Sequence, residues 1–359
     1  MSNFMIKKND LHNIFNKKKV LVTGHTGFKG TWLTKILEKN NANVLGISLP
    51  PNKDNIHFNN ISLSKKNIKS VFFDIRDNKK LAKYFKSFKP EIVFHLAAQS
   101  LVKKSYEKPS ETISININTL LNVCENILLN KKTVKYFVCV TSDKCYLNKE
   151  WDHGYRENDE IGGTDPYSSS KAACENIFKS YNECYFIKNK INAASVRGGN
   201  VIGGGDWSQD RLIPDIIRSI KNNKNVKIRS KLSTRPWQHV LSLLSGYILT
   251  LKYLQSNKKN KKYNFNFGPK PDDVVTVDEV ISIFKKYIKF NTSYSKNNKF
   301  YETNLLQLNI DRSEKILKWK QILDINDCLK LTSEWYSEFL KNKNINSITN
   351  KQIDNFFYD

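Results

Sequence analysis

Short β-branched and aromatic runs alternate with longer amphipathic stretches through the first 200 residues. Val20-Leu21-Val22 is the first run; a glycine-rich turn and a helical stretch from Trp32 to Asn40 follow it. Asn43 to Ser48 predicts a second strand, stopped by Pro50-Pro51. Val71-Phe72-Phe73, Ile92 to His95, Tyr136 to Thr141 and Asn192 to Val196 predict four more. Helical periodicity occupies Leu81 to Phe88, Glu111 to Leu129 and Ser169 to Ile187. Strands and helices alternating at this pace predict βαβ units, right-handed crossovers and a parallel sheet covered on both faces.

The rhythm changes after Asn200. Gly203-Gly204-Gly205 marks a loop, followed by a helical pattern from Ile213 to Ile220 and a strand near Val226 to Arg229. Asn264 to Phe267 alternates like a strand, and Thr276-Val277-Asp278-Glu279 has the form of a capping box opening a helix to about Tyr287. The expected fold is α/β: a doubly wound parallel sheet of the Rossmann type with a smaller C-terminal α/β substrate domain. We expect a first domain over 1–198, with 236–268 returning to it, a second over 199–341, and a mobile Asn- and Lys-rich tail over 342–359.

Composition narrows the class. The 359 residues are enough for two domains of ordinary size. No apolar run approaches the roughly 20 residues that span a bilayer, and the first residues lack a secretory apolar segment, so a cytoplasmic protein without membrane contact is expected. The six cysteines, Cys124, Cys139, Cys145, Cys174, Cys184 and Cys328, include no C-x-x-C pair, so neither a metal site nor a disulfide framework is expected. The formal charge is +25, from 59 Lys and Arg against 34 Asp and Glu. That excess raises the question of nucleic acid. It is mostly Lys, spread along the chain among Asn, without the clustered Arg and interleaved aromatics of a nucleic-acid groove. A solvated surface drifting toward Lys and Asn accounts for it, and no nucleic-acid partner is expected.

Thr23-Gly24-His25-Thr26-Gly27-Phe28-Lys29-Gly30 places glycines at 24, 27 and 30, between a strand and a helix. Glycines there permit a tight turn and close approach of backbone to a pyrophosphate, and the helix N-terminus offers N–H groups and a positive dipole end. The strand and helix on either side distinguish this from a plain structural turn. The acidic residue that usually takes the ribose hydroxyls is missing: the second strand ends in Gly46-Ile47-Ser48-Leu49-Pro50. The residues alone leave NAD and NADP both open. Asp74-Ile75, after the third strand, either reaches the adenine or simply caps the strand.

Tyr167 and Lys171 stand four apart, one helical turn, on one face. A tyrosine with its ordinary pKa near ~10 is a poor base at neutral pH, and a neighbouring ammonium favours its phenolate. Ser142-Asp143-Lys144 follows a strand whose end points at the ligand crevice. A hydroxyl there can hold a substrate alcohol while Tyr167 removes its proton. An acid and a base beside that hydroxyl exceed what alcohol oxidation needs; the plainer reading is a surface ion pair.

These segments resemble the extended short-chain dehydrogenase/reductases, and within them the nucleotide-sugar 4,6-dehydratases. The matching stretches are VTGHTGFKGTWL from Val22, FHLAAQSLV from Phe94, TSDKCY from Thr141, GTDPYSSSKAACE from Gly163, GGNVIGGGDW from Gly198, DRLIPD from Asp210 and RPWQHV from Arg235. The last three resemble the branch that acts on CDP-glucose. The resemblance implies NAD as cofactor, wrapped by Gly24, Gly27, Phe28, Lys29 and Gly30. Asp74 and Ile75 flank its adenine, Leu96, Ala97 and Ala98 line it, and Lys171 holds its nicotinamide ribose. It implies Ser142, Tyr167 and Lys171 as the oxidising set and Asp143 with Lys144 as the eliminating pair. Asn200, Arg211, Arg235 and His239 fall in segments that hold the nucleotide-sugar. Lys144 stands where the related dTDP-glucose enzymes have a Glu base, which leaves open whether Lys144 or Asp143 dominates proton transfer. A homodimer or higher homo-oligomer, paired through helices including Glu111 to Leu129, is also implied. An epimerase of the same superfamily would share the glycine turn and the Tyr/Lys pair without needing Asp143-Lys144.

Overall fold

The computed structural model describes residues 6, 8–228, 231–256, 262–294 and 305–358. Its centre is a seven-stranded sheet in which every pairing is parallel. In chain order the strands are β1 (Lys19–Thr23), β2 (Asn43–Ser48), β3 (Ile68–Phe72), β4 (Ile92–His95), β5 (Tyr136–Val140), β6 (Asn192–Gly198) and β7 (Asn264–Phe267). In space they run β7-β6-β5-β4-β1-β2-β3. The chain winds outward from β1 in one direction and from β4 in the other. The carboxyl ends of β1 and β4 therefore flank a topological switch point, where ligands bind in open α/β sheets.

Alternation along each strand feeds two apolar layers. Val20, Val22, Phe94, Val138 and Val196 pack with Trp32, Leu33, Leu244 and Ile248. Leu21, Val93, Phe137, Cys139 and Ala193 pack with Leu81, Leu120, Val123 and Phe178 on the opposite face. Burial on both sides explains the near-continuous β-branched runs. Helices Phe28–Lys39 and Val240–Gln255 cover the first face; Asn78–Phe88, Pro109–Leu129 and Pro166–Tyr181 cover the second.

Beyond β6, the helix Leu212–Lys221 leads to the strand Val226–Ile228, which pairs with Thr292–Tyr294; Arg229 lies outside the described residues. Thr276 and Glu279 form the expected capping box of the helix Val277–Lys285. The strand Asn264–Phe267 joins the main sheet beside β6. Two expectations change. The helix expected from Trp32 starts at Phe28, because Gly27 is its N-cap and Gly30 packs inside it. The segment expected as a mobile tail forms the helix Ile345–Phe357, whose Ile353, Phe356 and Phe357 are buried in the main core. Asn and Lys between those positions masked an apolar stripe. Among the described residues no helix is long and apolar enough to cross a membrane.

Candidate active site

The glycine turn lies at the switch point. Gly24 has φ +76, and a Cβ there would stand 2.8 Å from the Ala97 nitrogen. A Cβ on Gly30 would stand 2.1 Å from the Gly24 carbonyl oxygen. Only glycine allows β1 to turn this closely past β4 into the helix. Gly27 caps that helix without a side chain of its own, leaving its N-terminus open to an anionic ligand. Leu96, Ala97 and Ala98 follow β4 and are partly buried; the Ala97 nitrogen donates to Thr23 Oγ1 at 3.3 Å. This cradle fits the pyrophosphate of a dinucleotide.

The end of β2 explains the missing ribose carboxylate. Ser48 Oγ is 2.9 Å from His25 Nδ1 and accepts from the Thr26 nitrogen at 3.2 Å, tying strand end to glycine turn. The His25 ring fills the space over Gly46, where a Cβ would stand 2.4 Å from the ring. Asp74 accepts from Arg76 Nε at 2.9 Å and Nη2 at 2.6 Å, and that side chain chiefly holds its carboxyl below the ordinary value. Ile75 is buried beside it, its carbonyl taken by Asn122 Nδ2.

The chemical residues converge from two elements. Asp165 caps the helix Pro166–Tyr181, accepting from the Tyr167 and Ser168 nitrogens at 2.9 and 3.0 Å, with Pro166 in its first turn. Tyr167 and Lys171 are both buried, and Lys171 Nζ is 5.9 Å from the Tyr167 ring centroid. Opposite, β5 ends in the 3-10 turn Asp143–Cys145, capped by Ser142. Ser142 Oγ donates to Asp143 Oδ1 at 2.8 Å, and the Lys144 nitrogen donates to the same oxygen at 2.9 Å. Asp143 is 4% exposed, and burial pushes its carboxyl above the ordinary value, outweighing Lys144 and those hydrogen bonds. Lys29 lies within the fields of Lys171, Arg211, Asp143 and Asp206; burial first, then the two cations, lower it to about 7.

On the substrate side, Arg211 reaches this cluster and donates to Asp206 Oδ2 at 2.9 Å. Asp206 is buried and also accepts from the Ser208 nitrogen at 3.0 Å. Sequence reasoning missed Asp206 although it sits in the quoted GGGDW stretch. Asn200 is partly buried, and its carbonyl accepts from the Gln238 nitrogen. Next to it, a Cβ on Gly199 would stand 3.4 Å from Asp143 Oδ2 and 2.8 Å from Pro236 Cγ, so glycine lets the Pro236 loop close on the acid. Arg235 lies on the strand Thr234–Arg235 and turns its guanidinium to the Thr234 carbonyl at 2.7 Å. His239 departs from the expectation. It is fully buried, accepts from the Leu241 nitrogen as N-cap of the helix Val240–Gln255, and meets Trp32 edge-on. Its partners are core and backbone, not the cleft.

The family described as NAD dependent epimerase/dehydratase matches residues 20–265. A CDP-glucose 4,6-dehydratase of Salmonella typhimurium is 38% identical over 96% of this chain and 97% of its own length. A dTDP-D-glucose 4,6-dehydratase of Homo sapiens is 28% identical over 91% of this chain and 93% of its own. Among solved structures, a dTDP-glucose 4,6-dehydratase of Bacillus anthracis in complex with NAD superposes with a TM-score of 0.74 at 19% identity, over 91% of this chain and 98% of the other. An epimerase of Methanothermobacter thermautotrophicus gives 0.80 at 23%, over 93% and 96%.

Proposed function

The chain belongs to the NAD dependent epimerase/dehydratase family, and from that premise we propose that it is an NAD-dependent hydro-lyase converting CDP-D-glucose to CDP-4-keto-6-deoxy-D-glucose. The observation that carries this reading is the Ser142-Asp143-Lys144 turn set against Tyr167 and Lys171, with a buried carboxyl whose pKa burial raises. The near full-length similarity to a CDP-glucose 4,6-dehydratase supports the same substrate.

Tyr167 takes the proton of the sugar C4 hydroxyl, and Ser142 holds the oxygen. Lys171, beside the tyrosine ring, sets a positive charge near the negative phenolic oxygen with which Tyr167 takes that proton. NAD, when bound in the Gly24–Gly30 cradle, supplies the transient oxidation at C4 and its reversal at C6. The C4 ketone makes the C5 proton acidic. Lys144 and Asp143 divide the elimination: one removes the C5 proton, the Asp143 carboxyl protonates the departing C6 hydroxyl as water, and C5 is reprotonated when C6 is reduced. Arg211, fixed by Asp206, and Arg235 supply planar forks suited to the substrate diphosphate, with Asn200 at the edge of the cleft. Redox change is zero overall, so one closed site must carry every step.

Product analysis with CDP-, dTDP-, GDP- and UDP-glucose tests the substrate. CDP-glucose deuterated at C4 should give product deuterated at C6; label lost to solvent would end the dehydratase reading. An epimerase would return a C4 epimer and no keto-deoxy sugar. The same reading includes pairing of two copies through the helices Pro109–Leu129 and Pro166–Tyr181, which lie side by side and expose Ile113.

A further inference from the structure

The helix face that carries Tyr167 and Lys171 continues one turn further to Glu175, which is 4% exposed. Glu175 Oε2 accepts from Arg197 Nη2 at 2.6 Å and from Ser195 Oγ at 2.9 Å, both on β6. Glu175 Oε1 accepts from Thr141 Oγ1, the residue just before Ser142. Arg197 Nη1 donates to the Tyr146 hydroxyl at 2.6 Å, the residue just after the Asp143–Cys145 turn, and to the Glu157 carbonyl at 3.2 Å. The Tyr146 hydroxyl in turn donates to Asn266 Oδ1 at 2.8 Å. One buried ion pair thus grips the eliminating turn at its entry and at its exit, from the helix that bears the oxidising tyrosine.

Stability alone is a poor account of such a pair. Desolvating two charges costs about as much as their attraction returns, and apolar residues of similar volume often serve as well. Arg197 Nε, moreover, is buried with no hydrogen-bond partner among the described residues. What the pair supplies is direction, because its hydrogen bonds reach Thr141 and Tyr146 on either side of the chemistry.

We propose that Glu175 and Arg197 are positioning residues that lock the Ser142–Cys145 turn to the Tyr167 helix, so that Asp143 and Lys144 meet the sugar beside the C4 hydroxyl that Tyr167 deprotonates. The proposal rests on the 4,6-dehydration reading. Oxidation draws one group, Ser142, from that turn, but its base, Tyr167, and Lys171 are held in place by the helix itself. Elimination leans on Asp143 and Lys144, whose turn this clamp ties to that helix by hydrogen bonds on either side. Loosening the clamp should slow elimination more than oxidation.

The experiment uses the full chain with NAD and CDP-glucose in single turnover, following reduced cofactor by absorbance and keto-deoxy product by quenching. Thr141→Val and Tyr146→Phe each remove one grip and leave the ion pair intact, so folding is preserved; Glu175→Gln removes the charge. Each variant should form product about tenfold more slowly while C4 oxidation stays within about threefold, so that reduced cofactor accumulates. Thr141→Val should add little in a Glu175→Gln background, because the two act through one hydrogen bond. Oxidation and product formation falling in parallel, or neither changing, would overturn the clamp. If the wild-type protein makes no keto-deoxy product from CDP-glucose, the underlying reading fails instead, and the two failures are told apart before any variant is made.

Discussion

Ser142 Oγ and Asp143 Oδ1 are joined by a 2.8 Å hydrogen bond, so the hydroxyl proposed to hold the sugar C4 oxygen and the carboxyl proposed to protonate its C6 oxygen satisfy each other. In the proposed mechanism substrate separates them. Burial raises the Asp143 pKa. A carboxyl raised on folding favours the native state at low pH, and that contribution is lost as pH rises through the folded value. At neutral pH, where the unfolded chain ionises this carboxyl more readily than the fold does, Asp143 therefore weakens the fold. Asp143→Asn should raise Tm at neutral pH while slowing product formation by about a hundredfold or more, the usual worth of a general acid. Thermal melts and a product assay on the same sample check both halves.

Asp206 is 4% exposed and holds Arg211 at 2.9 Å, and its charge is the first cause of the raised Arg211 pKa. Asp206→Asn keeps a hydrogen-bond acceptor but frees the guanidinium to swing. Arg211 is proposed to serve the diphosphate, which is bound alike in ground and transition states. KM for CDP-glucose should rise about tenfold with kcat within about twofold, as loss of uniform binding requires. A matching fall in kcat would place Arg211 in the chemical step.

Much of this site is legible in the chain, and what is not has physical reasons. The strands Asn43–Ser48, Ile92–His95 and Asn264–Phe267 read directly, because turn residues or a change of pattern bound each run. The helix Val240–Gln255 did not read, because it is buried almost all round and shows no polar face to set a period. The switch point depends on β1 pairing with β4, some 70 residues away, which no local pattern encodes. Glu175 stands one turn after Lys171, on the same helix face by spacing, yet a Glu reads as solvent-facing until its partner Arg197 is seen on β6. His239 misled for the converse reason: its motif resembles a ligand-holding segment, while its ring is spent capping the next helix.

That cap gives a direct check. His239→Asn retains a good N-cap acceptor, whereas His239→Ala removes it at a cost of about 1 kcal/mol or more. Neither variant should move KM for CDP-glucose beyond about twofold, since the residue faces the core rather than the cleft. A tenfold rise in KM for both would return His239 to the substrate site.

Lys29 gives the fold an alkaline dependence. Burial, Lys171 and Arg211 lower it to about 7 from 10.5. Between those values the unfolded chain binds the proton and the folded protein does not, so stability from this group rises with pH across that window. Without added NAD, Tm should climb from neutral to mildly alkaline pH, and Lys29→Met should start higher and lose the climb. Identical profiles for the two proteins would show that Lys29 keeps its charge in the fold.

The acid side belongs to histidine. His25 is lowered to about 4, and His57, His95 and His239 to about 3, each chiefly by burial. Their rings are spent inside the molecule: His25 on Ser48, His95 on Thr23, His57 on Thr349 and His239 on the Leu241 nitrogen. The unfolded imidazoles protonate near 6.5, well before the folded ones. A lowered histidine thus costs no stability above 6.5 and withdraws stability as pH falls toward its folded value, by up to about 1.4 kcal/mol per pH unit for each ring. Asp143 and Glu157, both raised by burial, push the other way, but they are two against four. Urea unfolding should therefore show stability falling steeply from about pH 6.5 downward. His57→Gln, which retains a polar group toward Thr349, should lessen the slope by about one proton. A flat profile from neutral pH down to about 5 would mean that these rings are reached by water and titrate as free histidines.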